Sequence, residues 1–289
     1  MKLFKKYFQA DQSVDGLYEA ASKGDSAALT QLRALGNKGD ATAQAVLGFM
    51  YSNGDGVSKD SAQAVAWYRK SAEQGHAGAQ LYLGFMYEDG DGVPQDSVEA
   101  VSWYRKSAEQ GFAKAQCQLG SMYSNGTGVP KDAVQAVAWY RKSAEQGYAG
   151  GQANLGVMYA FGTGVPKDSV QAVFWYRKSA EQGNAVAQFH LGVMYDNGDG
   201  VPKDSVQAVF WYRKSADQGD ATAQYNLGVM YDNGEGVPKT SVIAYMWVNL
   251  AAAQGDEIAK EAREALEKDM TPAQIAEAQK LSREWRPKP

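Results

Sequence analysis

The chain has 289 residues, 44% of them hydrophobic and 21% charged, which is ordinary for a folded protein, and its seven tryptophans argue for a packed interior. A net charge of −4 with no basic excess excludes nucleic acid as an expected partner. The single cysteine, Cys117, excludes an intramolecular disulfide, and no apolar run approaches the roughly 18–20 residues that span a bilayer.

The chain begins MKLFKKYFQADQS, the basic start of a signal peptide without the apolar stretch and small-residue cleavage site that should follow. Residues 1–13 read as a tail. The compartment stays open: cytoplasmic as the sequence stands, extracytoplasmic if a leader was removed. A degenerate N-terminal capping repeat is expected over 14–39, where Gly24-Asp25-Ser26-Ala27-Ala28 echoes Gly39-Asp40-Ala41-Thr42-Ala43.

From there a period of 36 residues takes over, marked by Gly39, Gly75, Gly111, Gly147, Gly183, Gly219 and Gly255. Six copies follow without insertion or deletion: 40–75, 76–111, 112–147, 148–183, 184–219 and 220–255. A constant period of this size means one supersecondary unit stacked on itself. Each copy reads as two helices. In the first copy, DATAQAVLGFMYS is a helix-length run, and the glycines of NGDGVSKD break it. Later copies stiffen the connection with Pro94, Pro130, Pro166, Pro202 and Pro238. Asp60 and Gln63 then form a capping-box-like start for the second helix, which Gly75 ends. Within AVAWYRKSAEQG, Ala64, Trp67, Tyr68, Ser71 and Ala72 share one face and are expected to form core. Arg69, Lys70 and Glu73 are expected on a solvated face with weak ion pairs. Residues 256–289 read as a helical cap, opened by Thr271, Pro272 and Gln274.

The string Ala41, Ala43, Gln44, Leu47, Gly48, Met50, Tyr51, Gly54, Gly56, Val57, Asp60, Ala64, Trp67, Tyr68, Lys70, Ala72, Gly75 resembles the Sel-one-like repeat family, an α/α-solenoid family related in shape to tetratricopeptide repeats. The resemblance implies an all-α, right-handed superhelical α/α-solenoid of 36-residue two-helix repeats with helical caps. It implies a bacterial adaptor or scaffold that holds peptides or proteins on a concave surface, with no fixed catalytic residue. Some members carry a disulfide in each repeat. This chain lacks those cysteines, which detaches it from the branch for which β-lactam-related activities are suggested.

Comparison of the six copies shows what stacking fixes and what it leaves free. On the first helix the third, sixth, seventh, tenth, thirteenth and fourteenth positions vary, within an arc of about 120°. By analogy with other two-helix solenoids, that stripe would line the concave groove. Its carboxamides and other polar groups, Gln118, Asn154, His190 and Asn226, would bind peptide backbone. Its aromatic groups, Phe49, Tyr82, Phe85, Phe161, Phe189 and Tyr225, would anchor side chains. The competing reading is drift on a solvated surface, with Phe161 and Phe189 plugging gaps between copies. Glu88, Asp89, Asp196 and Asp232 would favour a partner of basic character. One position of the second helix also varies: Ala66, Ser102, Ala138, Phe174, Phe210, Met246. Packing at the convex side is the preferred account there, with a self-association patch on an otherwise monomeric protein as the alternative.

No catalytic constellation emerges. His76 and His190 lie in different copies, and no Cys or His stands at metal-ligand spacing. The Gly-Asp-Gly loops lack the lysine and strand of a phosphate cradle. One carboxylate per loop falls short of a calcium site. Neither cofactor nor metal is expected. The sequence reading is a non-enzymatic protein- or peptide-binding scaffold. The alternatives are a cell-wall or β-lactam-like hydrolase and an inhibitor or immunity protein for one folded enzyme.

Overall fold

The computed structural model describes residues 12–288, so the basic N-terminal start lies outside the described residues. Among those residues there are sixteen α-helices and no strand. The chain divides into two compact units, one ending at Gln146 and the other beginning at Gly147. The first unit contains α1 (Gln12–Ser22) and α2 (Ser26–Asn37), the N-terminal capping pair. Three repeat pairs follow: α3 (Ala41–Asn53) with α4 (Ser61–Glu73), α5 (Ala77–Asp89) with α6 (Ser97–Glu109), and α7 (Ala113–Asn125) with α8 (Ala133–Glu145). The second unit contains α9 (Ala149–Phe161) with α10 (Ser169–Glu181), α11 (Ala185–Asn197) with α12 (Ser205–Asp217), and α13 (Ala221–Asn233) with α14 (Ser241–Ala253). It closes with α15 (Glu257–Asp269) and α16 (Pro272–Glu284).

The helix starts are half of what the capping-box pattern predicts. The Asp60 side chain accepts from the Gln63 N–H at 3.0 Å, satisfying an orphan donor. The reciprocal bond is replaced, because the Asp60 N–H donates to the Tyr51 carbonyl at 2.9 Å. The same backbone bond recurs from Asp96 to Tyr87 and from Asp204 to Tyr195, and it closes the long loop of each copy. A full capping box forms at Thr271 and Gln274, where no such loop precedes.

Two glycines per copy are set by close approach. In the loop, a Cβ on Gly92 would fall 2.3 Å from the Ser61 carbonyl oxygen, so the loop of copy two rests on the first turn of α4. On the first helix, a Cβ on Gly84 would fall 2.5 Å from the Tyr104 ring. The tyrosine of the second helix therefore packs flat on bare backbone of the first. Copy six departs, with Val248 filling the place of that tyrosine against Gly228.

Buried polar side chains join the two helices of a copy and one copy to the next. Gln80 donates to the Ala72 carbonyl at 3.0 Å and accepts from Gln110 at 2.7 Å, while Ser107 donates to the Ala77 carbonyl at 2.8 Å. The set repeats at Gln188, Gln218 and Ser215. Each such bond contributes a net of about 1 kcal/mol, and its loss would strand a buried partner.

The second helix corrects two expectations. Trp103, Trp175, Trp211 and Trp247 are buried, but Trp67 and Trp139 are only half-buried, each with a lysine of its own helix over the ring, 4.4 Å for Lys70 and 4.0 Å for Lys142. The arginines are not on a face of weak ion pairs. Arg69 donates to the Tyr87 hydroxyl of the next copy at 2.6 Å, and Arg105 and Arg177 reach Tyr123 and Tyr195 in the same way. Packing accounts for Met246 at the variable position of this helix, but Phe174 and Phe210 are 45% and 47% exposed, edge-on to their neighbouring tryptophans.

Candidate functional site

The variable stripe lies on the first helices, and its side chains are mostly half-buried, held between the copies and solvent. In the first unit the aromatic candidates form one string. Phe49 on α3 meets Tyr82 on α5 at 6.2 Å, and Tyr82 meets Phe85 at 6.1 Å. Tyr18 on α1 extends the string at 6.0 Å from Phe49, and Tyr104 on α6 does so at 5.5 Å from Phe85. Lys114 lies 4.8 Å over Phe85. Edge-on rings and a cation over a ring are favourable arrangements.

The seventh position does something the sequence reading missed: it caps the tyrosine of the preceding copy. Where it is aromatic it stacks. Tyr82 lies on Tyr68 at 5.5 Å and 8°, and His190 lies on Tyr176 at 5.0 Å and 14°. Two of its carboxamides hydrogen-bond. Gln118 bonds the Tyr104 hydroxyl, and Asn226 bonds the Tyr212 hydroxyl. The signal was present in the sequence, since a buried tyrosine hydroxyl needs a partner and the seventh position offered one.

The thirteenth position supplies the acceptor. Tyr104 donates to the Glu88 carboxylate at 2.5 Å, and Tyr212 is hydrogen-bonded to Asp196. Asp232 pairs with Lys239 at 3.7 Å. Three of the four acids read from sequence as attracting a basic partner are thus engaged inside the repeats, and Asp89 is exposed.

In the second unit the candidates do not form one string. Phe189 lies 5.2 Å from His190 and 6.0 Å from Tyr212, so Phe189 and Asn226 meet at Tyr212 while His190 faces Tyr176. Tyr225 instead packs with Val248 and Ala259 beside the C-terminal helices. Phe161, at the end of α9, is 70% exposed and plugs no gap between copies. Asn154 is half-buried on α9.

The electrostatics suit binding more than chemistry. Burial, and then the bond to Glu88, pushes the Tyr104 hydroxyl far above the usual phenol range, so it is a permanent donor. Burial pushes Tyr176 and Tyr212 up in the same way. Burial pulls His190 below the usual histidine range, against a smaller opposite effect of Asp220, and leaves it uncharged near neutral pH. Cys117 is buried. His76 is an N-cap, its Nδ1 accepting from the Ala79 N–H at 3.2 Å. Among the described residues no group of three or more His, Cys, Asp or Glu stands close enough to hold a metal ion. Among them, too, no helix is long and apolar enough to cross a membrane.

Six consecutive segments match the Sel1 repeat: 41–76, 77–112, 113–148, 149–184, 185–220 and 221–256. They sit one residue on from the phase marked by the glycines. A Sel1 repeat protein from Oxalobacter formigenes is 37% identical over 84% of this chain and 97% of its own, with a TM-score of 0.75. A protective antigen of uropathogenic Escherichia coli with the SLR fold is 33% identical over 89% of this chain and 71% of its own, with a TM-score of 0.40. An immunity protein from Pseudomonas aeruginosa is 19% identical over 84% of this chain and 82% of its own, with a TM-score of 0.48, a likeness that bears on neither partner nor activity. No curated protein matches the sequence. The repeats and the likeness to the Oxalobacter formigenes protein agree: this chain belongs to the Sel1 repeat family.

Proposed function

We propose that this chain is a non-enzymatic scaffold that holds a protein or peptide partner along the first helices of its repeats. Sel1 repeats form scaffold folds that are typically non-catalytic and mediate protein interactions. The observation that carries the reading is the coincidence of two patterns. The residues that vary between copies lie on one stripe, and on that stripe Phe49, Tyr82 and Phe85 join into a half-buried aromatic string. Rings held by their neighbours lose little freedom on binding, which is what makes aromatic residues effective anchors. Aromatic contact, supported by seventh-position polar groups, carries the reading better than charge does. Glu88 and Asp196 already serve tyrosine hydroxyls, so a basic character in the partner gains little support.

The test is a peptide-display selection on the purified chain, run beside two variants. One is Phe49→Ala with Phe85→Ala, and the other is Phe161→Ala with Phe189→Ala. Circular dichroism confirms that each stays helical. Enrichment of a motif by the parent, lost in at least one folded variant, is the expected result. Equal enrichment by all three, or none by any, would overturn the reading and direct the search to a folded partner on another face.

A further inference from the structure

Copies two, four and five carry the same second-helix tyrosine and surround its hydroxyl differently. Tyr104 has Glu88 and Gln118, and Tyr212 has Asp196 and Asn226. In copy four the thirteenth position is Ala160, and the seventh position of the following copy is His190, which stacks on the Tyr176 ring. Tyr176 is 1% exposed, and among the described residues its hydroxyl has no hydrogen-bond partner. A buried hydroxyl without a partner is rare in a folded protein and marks a place where a polar group belongs.

There is space for such a group. A cavity of about 250 Å³ is lined by Ala160, Phe161, Tyr176, His190 and Val193, with the exposed Lys167 and Asp199 also on its wall. A cavity of about 150 Å³ already holds a benzene-sized group, so one large side chain fits.

We infer that this cavity is a pocket for a glutamine or asparagine side chain of a peptide partner, whose carboxamide oxygen accepts from Tyr176 as Glu88 accepts from Tyr104. The inference rests on the peptide-binding reading above. The choice of carboxamide follows from the wall. Ala160, Val193 and the Phe161 ring suit an apolar stem. Tyr176 is a permanent donor and calls for an acceptor. A carboxylate would accept too, but Asp199 offsets Lys167 on the wall, and His190 is held uncharged. A carboxamide brings no charge to be desolvated, and its N–H can donate to Asp199. A purely apolar side chain would leave the hydroxyl bare.

The test uses the full chain and four probes: propionamide, and blocked pentapeptides of alanine with glutamine, glutamate or leucine at the centre. The chain has two histidines, so imidazole NMR signals resolve His190, with His76 as the internal control. Propionamide and the glutamine peptide are expected to shift His190 and leave His76 in place. Glutamine should bind about fivefold tighter than leucine, the size of one net hydrogen bond. Tyr176→Phe removes only an unpartnered hydroxyl, so it should fold and bring that preference to about one. Ala160→Glu installs the acid of copy two and should abolish the shifts. No His190 shift with propionamide or the glutamine peptide would overturn the pocket. So would a glutamine preference that survives Tyr176→Phe, or tighter binding of glutamate. Display-selected peptides that lose binding in Phe49→Ala with Phe85→Ala, yet show no glutamine preference, would keep the scaffold reading and sink the pocket. A propionamide shift lost in Ala160→Glu, with no peptide bound by any assay, would keep the carboxamide site and sink the peptide reading.

Discussion

Copies two and four have nearly the same second helix, SVEAVSWYRKSAE and SVQAVFWYRKSAE, set against different first helices, AGAQLYLGFMYED and AGGQANLGVMYAF. Both place a tyrosine flat on a first-helix glycine, Tyr104 on Gly84 and Tyr176 on Gly156. In copy two Glu88 closes over the hydroxyl, whereas in copy four Ala160 leaves it bare beside a cavity. The difference teaches that the second helix is a common frame and that the first helix sets what surrounds its tyrosine. Copy six shows the opposite exchange. There Val248 replaces the tyrosine itself, and a cavity of about 320 Å³ lies against Gly228, Val248 and Leu266.

The largest expected effect tests the shared frame. A Cβ at Gly84 or Gly156 would fall 2.5 or 2.7 Å from a tyrosine ring, closer than the ring can tolerate without moving. Overpacking costs about 1–3 kcal/mol, and the better helix propensity of alanine returns less than about 1 kcal/mol. Gly84→Ala and Gly156→Ala should therefore each lose about 2 kcal/mol, read as matching downward shifts of the urea midpoint by circular dichroism. A clear loss in one copy and none in the other would break the claim that the frame is common.

A smaller effect sharpens the contrast between the copies. Tyr104→Phe removes a hydrogen bond to a carboxylate and should cost about 1.5 kcal/mol. Tyr176→Phe removes a hydroxyl without a partner and should be neutral or stabilising by up to about 1 kcal/mol. Urea midpoints of the two variants give the answer side by side. Equal losses would mean that Tyr176 is as well served as Tyr104.

The frame was legible in the sequence because stacking repeats its requirements. Gly48, Gly84 and Gly120 recur because a ring lies on each, Gln80 and its equivalents recur because each joins two copies through a buried bond, and Ser107 and its equivalents recur because each ties the two helices of one copy. The site was half legible. Variation selected Phe49, Tyr82 and Phe85, which do form a string. It did not show that the seventh and thirteenth positions serve the tyrosine beneath them, because that depends on which helices face each other within a copy and across its boundary. Sequence also gave Arg69 and Lys70 to solvent. Lys70 is exposed, with its charge over the Trp67 ring, but the Arg69 stem carries its charge back to Tyr87, a reach that helical periodicity alone does not encode.

The smallest effect concerns His190, which copies one to three and copy six replace with Val46, Tyr82, Gln118 and Asn226 at the same position. Burial against Tyr176 and Phe189 disfavours its charged form, and Asp220 opposes this more weakly. Its proton affinity is therefore lower in the folded chain than in the unfolded one. The unfolded chain takes up the proton first as pH falls below about 6.5, so this residue's contribution is intact above that pH and is lost as pH falls through its folded value. His190 is partly open to solvent, which screens the effect to at most about 1 kcal/mol. Carboxylates titrate in the same range, so the measurement is a difference of differences: urea midpoints at pH 7.5 and pH 5.0 for the parent and for His190→Gln. The variant should lose less on acidification, because glutamine can make the contact that Gln118 makes with Tyr104 and carries no proton to gain. An equal loss in both proteins would mean that the imidazole sits in the fold without cost to its charge. The preference of the pocket beside it for a neutral guest would then rest on Asp199 and on desolvation alone.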